Sequence, residues 1–460
     1  MTPHLSAEIF RAYDIRGIVD EDLTLDVCYW IGRAIGSTLI ERKQSTCNLA
    51  YDGRLSSPTF AQALQNGLLE AGCSVNLLGM QPTGLLYFST HYLSCPNGVM
   101  VTGSHNPANY NGIKIVIEQQ ALSAQEIQAL YQRIKAQNLP KNNLGVLHRI
   151  NIEEAYLAQL HTMPLSRSLK VVVDAGNGVA GPLAVRLFNR LNVQAEFLFC
   201  DVDGCFPNHH PDPSIEENLT ALKQTVIANN ADVGIAFDGD GDRAALVDNC
   251  GEVIWPDRLL MLLIQHILPK NPGRSVLFDV KSSGLLRRFI TNLGGVPVMG
   301  PTGHSLMKKN MRAHRAIVGG EFSGHLYLND NWFGFDDGLY VAVRLLESLS
   351  QAVQSSHEVF AQLPNEYSTA EITLASTETR KFEILQQLSE DAELLANAQV
   401  FRDDGLRLEF ADSWGLVRAS NTTPKLTLRF AGDSPEALTQ VQLRIKAALA
   451  RHAPELKPSF

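Results

Sequence analysis

Residues 169–191 read LKVVVDAGNGVAGPLAVRLFNRL, an apolar strand followed by an aspartate, a turn of small residues and an amphipathic helix. The same order recurs in NLAYDGRLSSPTFAQALQNGLLEAG (residues 48–72) and in SVLFDVKSSGLLRRFITNLGG (residues 275–295). Period-two apolar runs indicate strands, and apolar residues spaced three or four apart indicate helices. The chain therefore repeats one strand–turn–helix unit.

Each unit carries one aspartate directly after its strand, and another short strand follows each helix. Asp174 follows Asp52 by 122 residues and Asp279 follows Asp174 by 105. Such spacings suit whole domains and are too long for solenoid repeats of about 20–50 residues. Strand–helix–strand order predicts mixed or parallel sheets with helices on both faces. We expect three similar α/β domains in series, with ligands beyond the carboxyl ends of their strands.

The last part of the chain has a different pattern. Residues 368–376, 406–420 and 425–432 resemble antiparallel strands, and residues 434–452 form an amphipathic helix that Ser434 can cap. This predicts a smaller α+β domain. The four domains are expected at residues 1–149, 150–253, 254–365 and 366–460.

Composition restricts the class of partner. The chain has 460 residues, 45% of them hydrophobic and 19% charged, with a formal net charge of -9. This composition is typical of a globular protein, and the negative charge argues against nucleic acid or an anionic membrane as partner. The seven cysteines form no CxxC pair, the N-terminal residues lack an apolar leader, and the longest apolar run is far shorter than a membrane span. We expect a cytoplasmic protein with reduced thiols.

The strongest chemical signal is FDGDGDR, residues 237–243. Asp238, Asp240 and Asp242 alternate with glycines after an apolar strand, so their carboxylates can converge on one point. Carboxylate oxygens suit a hard divalent cation, Mg²⁺ above all. An EF-hand needs glycine at the sixth position and glutamate at the twelfth, and this loop has neither. Arg243 beside the cluster suits a phosphate that shares the metal.

VTGSHNP, residues 101–107, follows another short apolar run. Asn-Pro is a turn signal, and Gly103 permits backbone geometry that other residues resist. Ser104 is therefore expected on a tight turn at the end of a strand. From the heptapeptide alone two interpretations remain open, a serine that hydrogen-bonds its own turn and a nucleophile held by a rigid loop.

Two further loops carry groups suited to a sugar phosphate. GGEFSGH, residues 319–325, combines a carboxylate, a hydroxyl and an imidazole, which can read a pattern of hydroxyl groups, although a helix start after a turn is equally consistent. RASNTTPKLTLRF, residues 418–430, offers Arg418, Arg429, hydroxyls and amides for a phosphate dianion. An ordinary hairpin turn is the alternative for this stretch.

Three weaker motifs add isolated polar groups. FRAYDIRG, residues 10–17, is either an anion clamp or a solvated basic edge. PTGHS supplies His304 and DVKSS supplies Lys281, and lone groups of this kind in loops are usually solvated. The adjacent histidines of FPNHHPDPS, residues 206–214, have no chelating spacing and indicate a structured loop.

The motifs TGSHNP, DGDGDR, GEFSGH and RASNTTP, in this order, closely resemble those of the α-D-phosphohexomutases, in particular the bacterial phosphomannomutase/phosphoglucomutase group. The resemblance extends over essentially the whole chain, including the FRAYDIRG opening. It implies three similar α/β domains and a smaller C-terminal one around a central cleft. By this resemblance Ser104 is the phosphorylated serine, and it joins Asp238, Asp240 and Asp242 in holding Mg²⁺. Arg243 then steadies the transferring phosphoryl group.

The resemblance also implies roles for the weaker motifs. Lys114 and His304 match positions that assist proton transfer or orient the substrate. The residues expected to contact the sugar and its distal phosphate are Tyr13, Arg16, Lys281, His304, Glu321, Ser323, His325, Arg418, Ser420, Asn421 and Thr422. One departure is the lead into the TGHS motif, Gly300-Pro301, which is less polar than expected and leaves the fine contacts of His304 open.

The implied activity is reversible phosphoryl transfer between the 1- and 6-positions of mannose and glucose phosphates, through a phosphoserine and a hexose 1,6-bisphosphate. The resemblance suggests a role in nucleotide-sugar supply for cell-surface polysaccharide, and we expect a monomer. Three alternatives remain at this point: phosphoglucosamine mutase, a magnesium-dependent sugar-phosphate phosphatase, and a binding protein without turnover. The third is disfavoured because a nucleophile, a metal loop and a phosphate loop together exceed what binding needs.

Overall fold

The computed structural model describes residues 5–140, 142–161, 164–420, 423–458 and 460. Four sheets divide the chain into four modules that follow one another in sequence. The predicted α/β fold class, with three mixed-sheet units and a smaller C-terminal unit, is confirmed. The domain boundaries at residues 149, 253 and 365 stay predictions.

The first module is a mixed sheet with the strand order β1-β5-β4-β2-β3-β7, in which β2 pairs in parallel with β3 and β4. Val99 and Val101 of β4 pack into one hydrophobic cluster and Met100 into another, so both faces of this sheet are covered. After the 3₁₀ helix Ala7–Ile9, its elements are β1 (Ile15–Ile18), α1 (Leu25–Glu41), β2 (Thr46–Tyr51), α2 (Ser57–Glu70), β3 (Ser74–Met80), α3 (Thr83–Tyr92), β4 (Gly98–Val101), β5 (Tyr110–Ile117), β6 (Gln120–Ala121), α4 (Ala124–Lys135) and β7 (Leu147–Arg149).

The second module has the strand order β12-β11-β10-β8-β9, parallel from β10 to β9 and antiparallel from β10 to β12. The β10–β11 hairpin carries the acidic loop at its tip. The elements are α5 (Glu153–Leu160), β8 (Leu169–Asp174), α6 (Gly181–Phe188), β9 (Val193–Leu198), the 3₁₀ helix Glu216–Leu219, α7 (Thr220–Ala228), β10 (Val233–Phe237), β11 (Ala244–Asp248) and β12 (Val253–Ile254).

The third module has the strand order β14-β13-β15-β16, with only the β15–β16 pair antiparallel among these strands. The GEFSGH motif is the turn between β15 and β16. The elements are α8 (Pro256–Ile267), the 3₁₀ helix Leu268–Lys270, β13 (Ser275–Asp279), α9 (Leu285–Asn292), β14 (Val296–Gly300), α10 (His304–Ala313), β15 (Val318–Gly320), β16 (Leu326–Leu328), α11 (Gly338–Ser350) and α12 (Ser356–Ala361).

The fourth module is an antiparallel sheet, β17-β22-β21-β20-β19 with β18 paired to β22. As predicted, the Ser434 side chain accepts the Ala437 backbone N–H at 3.1 Å and caps the last helix. The elements are β17 (Tyr367–Ser368), β18 (Ile372–Ala375), α13 (Arg380–Glu390), α14 (Ala392–Leu395), β19 (Gln399–Phe401), β20 (Leu406–Glu409), β21 (Ser413–Ala419), β22 (Lys425–Gly432) and α15 (Pro435–His452).

One continuous hydrophobic cluster joins the first three modules. It takes Leu85, Leu86 and Phe88 from α3 and packs them with residues of α5, α6, α8 and α11. The fourth module has its own separate cluster between its sheet and α13–α15. The first three modules therefore share part of their core, whereas the fourth has a core of its own. No described helix is both long and apolar enough to cross a bilayer.

The three repeated aspartates have the same structural role in each strand–turn–helix unit, which is why the repeat can be recognised in the sequence. Asp52 follows its strand, and Asp174 and Asp279 are the last residues of theirs. Oδ1 of each accepts a hydrogen bond from the turn: Asp52 from Arg54 N–H at 3.0 Å, Asp174 from Gly176 N–H at 2.8 Å and Asp279 from Ser282 Oγ at 2.6 Å. A carboxylate that fixes the turn orients the loop at the carboxyl end of each central strand.

Candidate active site

Ser104 lies on the loop after β4 and is 3% exposed. The loop geometry differs from the sequence prediction, because the residue in the left-handed region is Ser104 itself, with φ +48°. Gly103 has another role: a Cβ there would lie 2.4 Å from Nε of Arg54. The chain needs glycine at this position for close approach to a buried guanidinium. A strained non-glycine residue held by its surroundings is typical of functional sites.

Arg54 holds the serine loop in place. Its Nη atoms donate to the carbonyl oxygens of Ser104 at 2.8 Å, Asn106 at 2.5 Å, Pro107 at 2.6 Å and Tyr110 at 3.0 Å. Burial lowers the pKa of Arg54, an effect that the nearby Asp52 carboxylate opposes. Sequence analysis missed this residue, since an arginine after a strand-end aspartate has no signature of its own.

The acidic loop of the second module meets Ser104. Ser104 Oγ donates to Asp238 Oδ2 at 3.0 Å, although the two residues are 134 positions apart. Asp238, Asp240 and Asp242 are all fully buried, and their ligand atoms lie within 4.8 Å of one another. Gly241, with φ +71°, provides the bend that lets them converge. Burial, with the neighbouring carboxylates, raises the pKa of Asp238 to about 7 against the opposing effect of Arg243.

Two cations offset part of the charge of this loop. Lys114 Nζ lies 2.7 Å from Asp240 Oδ2 and 2.6 Å from Asp242 Oδ2. Arg243 Nε lies 3.0 Å from Asp238 Oδ2. Although burial opposes their charged forms, the carboxylates raise the pKa values of both Lys114 and Arg243. Arg243 therefore shares Asp238 Oδ2 with the Ser104 hydroxyl, whereas Lys114 pairs with the other two aspartates of the loop.

The donor set of the loop fits a hard divalent cation. Buried Asp240 Oδ1 and Asp242 Oδ1 accept no hydrogen bond from the described residues. The hydroxyls of Thr83 and Thr102 donate to the other oxygen of Asp240, at 2.7 and 3.1 Å, and fix its orientation. Three carboxylates beside a serine oxygen, with buried oxygens left open, match the oxygen ligation of Mg²⁺.

The GEFSGH turn of the third module reaches the same place. Glu321 Oε2 accepts the Gly303 backbone N–H at 2.7 Å, and the Ser323 carbonyl accepts Arg243 Nη1–H at 3.1 Å. His325 Nδ1 lies 3.6 Å from Asp242 Oδ1. Burial raises the pKa of Glu321. The motif is a turn between two strands and not the start of a helix.

His304 begins α10, and among the described residues neither of its ring nitrogens has a hydrogen-bond partner although both are buried. The same holds for Ser323 Oγ and for Arg243 Nη2. Burial, and to a lesser extent Lys308, lowers the pKa of His304 well below its usual value. The rings of His325 and His304 are 6.0 Å apart. Buried polar groups without a protein partner point to a polar ligand.

The N-terminal motif also belongs to this site. Tyr13 Oη donates to the Thr302 carbonyl at 3.0 Å, and the Tyr13 ring lies 6.2 Å from that of His304. Arg16 donates to Asn106 Oδ1 at 2.6 Å and pairs with Asp14 at 2.5 Å. The motif joins the serine loop to the third module and is not a solvated basic edge.

The cations of the third and fourth modules have carboxylate partners. Lys281 Nζ lies 2.8 Å from Glu371 Oε2, and Arg418 Nε lies 2.8 Å from Asp404 Oδ2. Asp404 also accepts the Thr302 backbone N–H at 2.9 Å, which brings the fourth module against the site.

The hydroxyl of Ser420, next along the RASNTTP motif, accepts the Thr423 backbone N–H at 3.2 Å. Asn421 and Thr422 lie outside the described residues.

Arg429 is placed differently from its sequence interpretation as a phosphate ligand. Its guanidinium lies 3.5 Å from the centre of the Phe322 ring, contacts Asp257 and donates to the Lys281 carbonyl. A cation over an aromatic face in a buried site is a stable arrangement. Arg429 therefore binds the fourth module to the loops that carry Lys281 and Glu321.

Two further residues of the site were missed in the sequence. His105 Nδ1 lies 3.2 Å from Ser104 Oγ, and the side chain is partly buried. Desolvation and the nearby Arg243 charge lower the pKa of His105. Asp212 lies 3.4 Å from Arg243 Nη1 and belongs to FPNHHPDPS, interpreted above only as a structured loop. The one available signal for His105 was its position next to the serine.

Models of four protein families match the chain in order. Their descriptions are phosphoglucomutase/phosphomannomutase alpha/beta/alpha domains I, II and III, over residues 7–141, 154–251 and 255–367, and the C-terminal domain, over residues 375–448. The matches follow the same order as the four sheets.

Individual proteins are similar over nearly the full length. A phosphomannomutase/phosphoglucomutase of Pseudomonas syringae is 46% identical over 461 residues, which cover 100% of this chain and 99% of that protein. A phosphoglucomutase of Neisseria gonorrhoeae is 43% identical and covers 97% of both. The crystal structure of a phosphoglucomutase/phosphomannomutase family protein from Burkholderia thailandensis has a TM-score of 0.94 at 42% identity, with 99% of this chain and 100% of that chain covered.

Proposed function

Because the chain belongs to the phosphoglucomutase/phosphomannomutase family and is a mutase, an isomerase of carbohydrate metabolism, we propose that it moves a phosphoryl group between the 1- and 6-positions of mannose and glucose phosphates by way of Ser104. The family resemblance inferred from the four motifs is confirmed. The contact between Ser104 Oγ and Asp238 Oδ2, at 3.0 Å, carries the proposal. It puts a buried serine at a buried cluster of carboxylates, the arrangement that phosphoryl transfer requires.

Magnesium is the proposed cofactor. Asp238, Asp240 and Asp242 would hold it, with a phosphate oxygen on Ser104 as a further ligand. Bound there, the ion would supply charge neutralisation for the transferring phosphoryl group. The open oxygens of Asp240 and Asp242 support this assignment.

In the proposed reaction, the P–O bond of phosphoserine 104 breaks as a new P–O bond forms to the free hydroxyl of a hexose monophosphate. The hydroxyl proton leaves to a base in the site, and the product is a hexose 1,6-bisphosphate. The bisphosphate then turns over, and its other phosphoryl group returns to Ser104. Arg243 steadies the phosphoryl group in both steps.

His304 and Lys114 are the proposed groups for proton transfer and substrate orientation. The two buried ring nitrogens of His304 accept or donate nothing among the described residues, so one can take a hydroxyl proton. Lys114 lies within 2.7 Å of two carboxylates of the acidic loop and orients charge around the reacting centre.

Recognition of the substrate is assigned to separate loops. Glu321, Ser323 and His325 would contact sugar hydroxyls common to mannose and glucose. The non-reacting phosphate would bind the cations and hydroxyls of the outer loops: Tyr13, Arg16, Lys281, Arg418, Ser420, Asn421 and Thr422. Since these loops are distinct from the reaction centre, they can hold either end of a bisphosphate. A monomeric state and a cytoplasmic location remain predictions.

One assay tests the proposal. Purified protein with Mg²⁺ and a trace of glucose 1,6-bisphosphate is given mannose, glucose and glucosamine phosphates in parallel, with Ser104→Ala as the matched inactive control. We expect comparable turnover of the mannose and glucose substrates. A dominant rate with glucosamine 6-phosphate would assign the chain to phosphoglucosamine mutase, and release of free phosphate without isomerisation would identify a phosphatase.

A further inference from the structure

A second cluster of metal-ligating side chains lies at the far end of β11 from the acidic loop. β11 runs from the residue after Arg243 to Asp248, so the two places are separated by about 17 Å of strand. Ligand atoms of Asp248, Cys250 and His357 lie within 4.8 Å of one another. The Glu252 carboxylate is 3.9 Å from His357 Nδ1. The cluster therefore offers sulfur, nitrogen and oxygen donors together.

The backbone holds these side chains in position. Asp248 Oδ1 accepts the backbone N–H groups of Cys250 and Glu252, each at 2.9 Å, which closes the turn between β11 and β12. His357 comes from α12, where its backbone N–H donates to Asn249 Oδ1 at 2.9 Å. Its Nδ1 lies 2.9 Å from Asp248 Oδ2. The turn and the helix are thus joined without any ion, and the donor atoms are preorganised.

The position and chemistry of the cluster suit an ion from solvent. Asp248 is buried, whereas Cys250 is exposed and the His357 side chain is 42% exposed. The carboxylates of Asp248 and Glu252, 2.9 and 3.9 Å from His357 Nδ1, make the local potential negative, which favours a cation. Thiolate, imidazole and carboxylate are the ligands of Zn²⁺ and its neighbours, whereas Mg²⁺ and Ca²⁺ take oxygen ligands.

We propose that Asp248, Cys250 and His357 form a binding site for Zn²⁺ or a similar transition-metal ion, with Glu252 as a fourth donor. Binding releases the Cys250 thiol proton to solvent, and the neutral His357 ring keeps its one proton on Nε2 so that Nδ1 can bind the ion. The ion links the β11–β12 turn of the second module to α12. The site is separate from the magnesium loop and does not depend on the proposed mutase activity.

Cobalt provides a direct test, because a sulfur-to-cobalt charge-transfer band appears only when a thiolate binds Co²⁺. Full-length untagged protein is titrated with Co²⁺ in excess Mg²⁺, which occupies the oxygen-only acidic loop. We expect the band in the wild type and in Cys205→Ser, a matched control at another exposed cysteine, and no band in Cys250→Ser. A wild type without the band, or a Cys250→Ser variant that keeps it, would overturn the proposal.

Zn²⁺ affinity tests the histidine. Competition with a chromophoric chelator should show binding at least about tenfold weaker in His357→Ala than in the wild type. Zn²⁺ should also raise the Tm of the wild type and leave that of Cys250→Ser unchanged. Circular dichroism checks that these exposed substitutions preserve the fold. Equal Zn²⁺ affinity in His357→Ala would remove that residue from the site and overturn the assignment.

Discussion

Around Ser104 the charged groups come from the first and second modules and are almost fully buried. Around Arg418 the charged groups come from the third and fourth modules and are paired with carboxylates that are partly exposed to solvent. The three aspartates of the acidic loop are 0% exposed. The side chains of Asp404 and Glu371, which pair with Arg418 and Lys281, are 12% and 37% exposed.

The two regions differ in whether the groups that would bind a ligand already have a protein partner. At the reaction centre, buried Asp240 Oδ1 and Asp242 Oδ1 accept no hydrogen bond from the part of the chain that the structure describes, so they are open to a ligand. At the outer loops, a phosphate must bind Arg418 or Lys281 beside the carboxylate that is already paired with it, or displace that carboxylate. Buried charges are costly to leave unpaired, while partly exposed pairs contribute little. Substitutions should therefore have large effects at the first region and smaller ones at the second.

The largest effect is expected for Ser104→Ala, which removes the proposed nucleophile. We expect kcat to fall about ten-thousandfold or more. Intact mass of freshly purified protein should show a phosphorylated fraction that this substitution abolishes. Ser420→Ala, a matched change at the outer loop, should keep the phosphorylated fraction. Transfer of label from hexose bisphosphate to Ser104→Ala at the wild-type level would disprove the nucleophile assignment.

A smaller but still large effect is expected for Asp240→Asn. The amide keeps an oxygen at this position but removes one charge from a hard-cation site. Because changes to the partners of metal ligands already cost about 10- to 100-fold in affinity, loss of a ligand charge should lower Mg²⁺ affinity by about 100-fold or more, with turnover at limiting Mg²⁺ falling in parallel. Calorimetry and a Mg²⁺ titration of activity measure the two effects. Asp404→Asn, at the outer loops, should leave Mg²⁺ affinity unchanged. Full turnover and unchanged affinity in Asp240→Asn would exclude this loop as the metal site.

Arg418→Ala should have an intermediate effect, confined to substrate recognition. Loss of one charge-assisted contact with phosphate costs about 1.5–3 kcal/mol, which lowers kcat/KM by about ten- to a hundredfold. The loss should be similar for 1-phosphate and 6-phosphate substrates, because the non-reacting phosphate alternates between these positions. Ser104 phosphorylation and Mg²⁺ binding should survive. A loss limited to one substrate would mean that the loop serves a single orientation.

The smallest effect is expected for Asp404→Asn. Its amide oxygen can still accept the Thr302 N–H and the Arg418 guanidinium, but it no longer competes as an anion. The pair is mostly buried, with Arg418 9% and Asp404 12% exposed, and a hydrogen bond to a neutral acceptor contributes about 1 kcal/mol less than one to a charged acceptor. KM for hexose phosphates should therefore fall by about two- to fivefold, with kcat almost unchanged. Steady-state kinetics with both substrates measure the shift. A raised KM would show instead that the Asp404 charge orients Arg418 for phosphate binding. That result would contradict the view that Asp404 competes with the phosphate.

Local features of the sequence predicted most of the fold. Each strand-end aspartate fixes its own turn. The repeat can therefore be recognised from contacts between residues that are close in sequence. The acidic loop was visible for the same reason, since Asp238, Asp240 and Asp242 converge through glycines within one hairpin tip. Resemblance to known motifs then supplied the remaining candidate positions, from Tyr13 to Arg418, and their roles stay predictions. Tyr13 and Asp404, the partner of Arg418, both contact the Thr302 backbone.

Contacts between residues far apart in the chain were beyond the reach of sequence patterns. Nothing local indicates that Arg54 binds four carbonyls of the serine loop, or that Asp212 meets Arg243. Arg429 was assigned to a phosphate because arginine suits anions, and the structure stacks it on Phe322. Each of these contacts depends on how distant segments of the chain pack in the folded protein, which no periodicity encodes.

The shared core of the first three modules has a consequence for how the chain is made. Domains usually fold in order as they leave the ribosome. When the first module emerges, Phe88 of α3 lacks two of the rings that pack against it in the folded chain, since Tyr156 and Trp332 follow it by 68 and 244 residues. A newly synthesised N-terminal module therefore presents an uncovered apolar face, the kind of surface that chaperones bind and that promotes aggregation. Once α11 has been translated, the second and third modules can pack against that face and cover it.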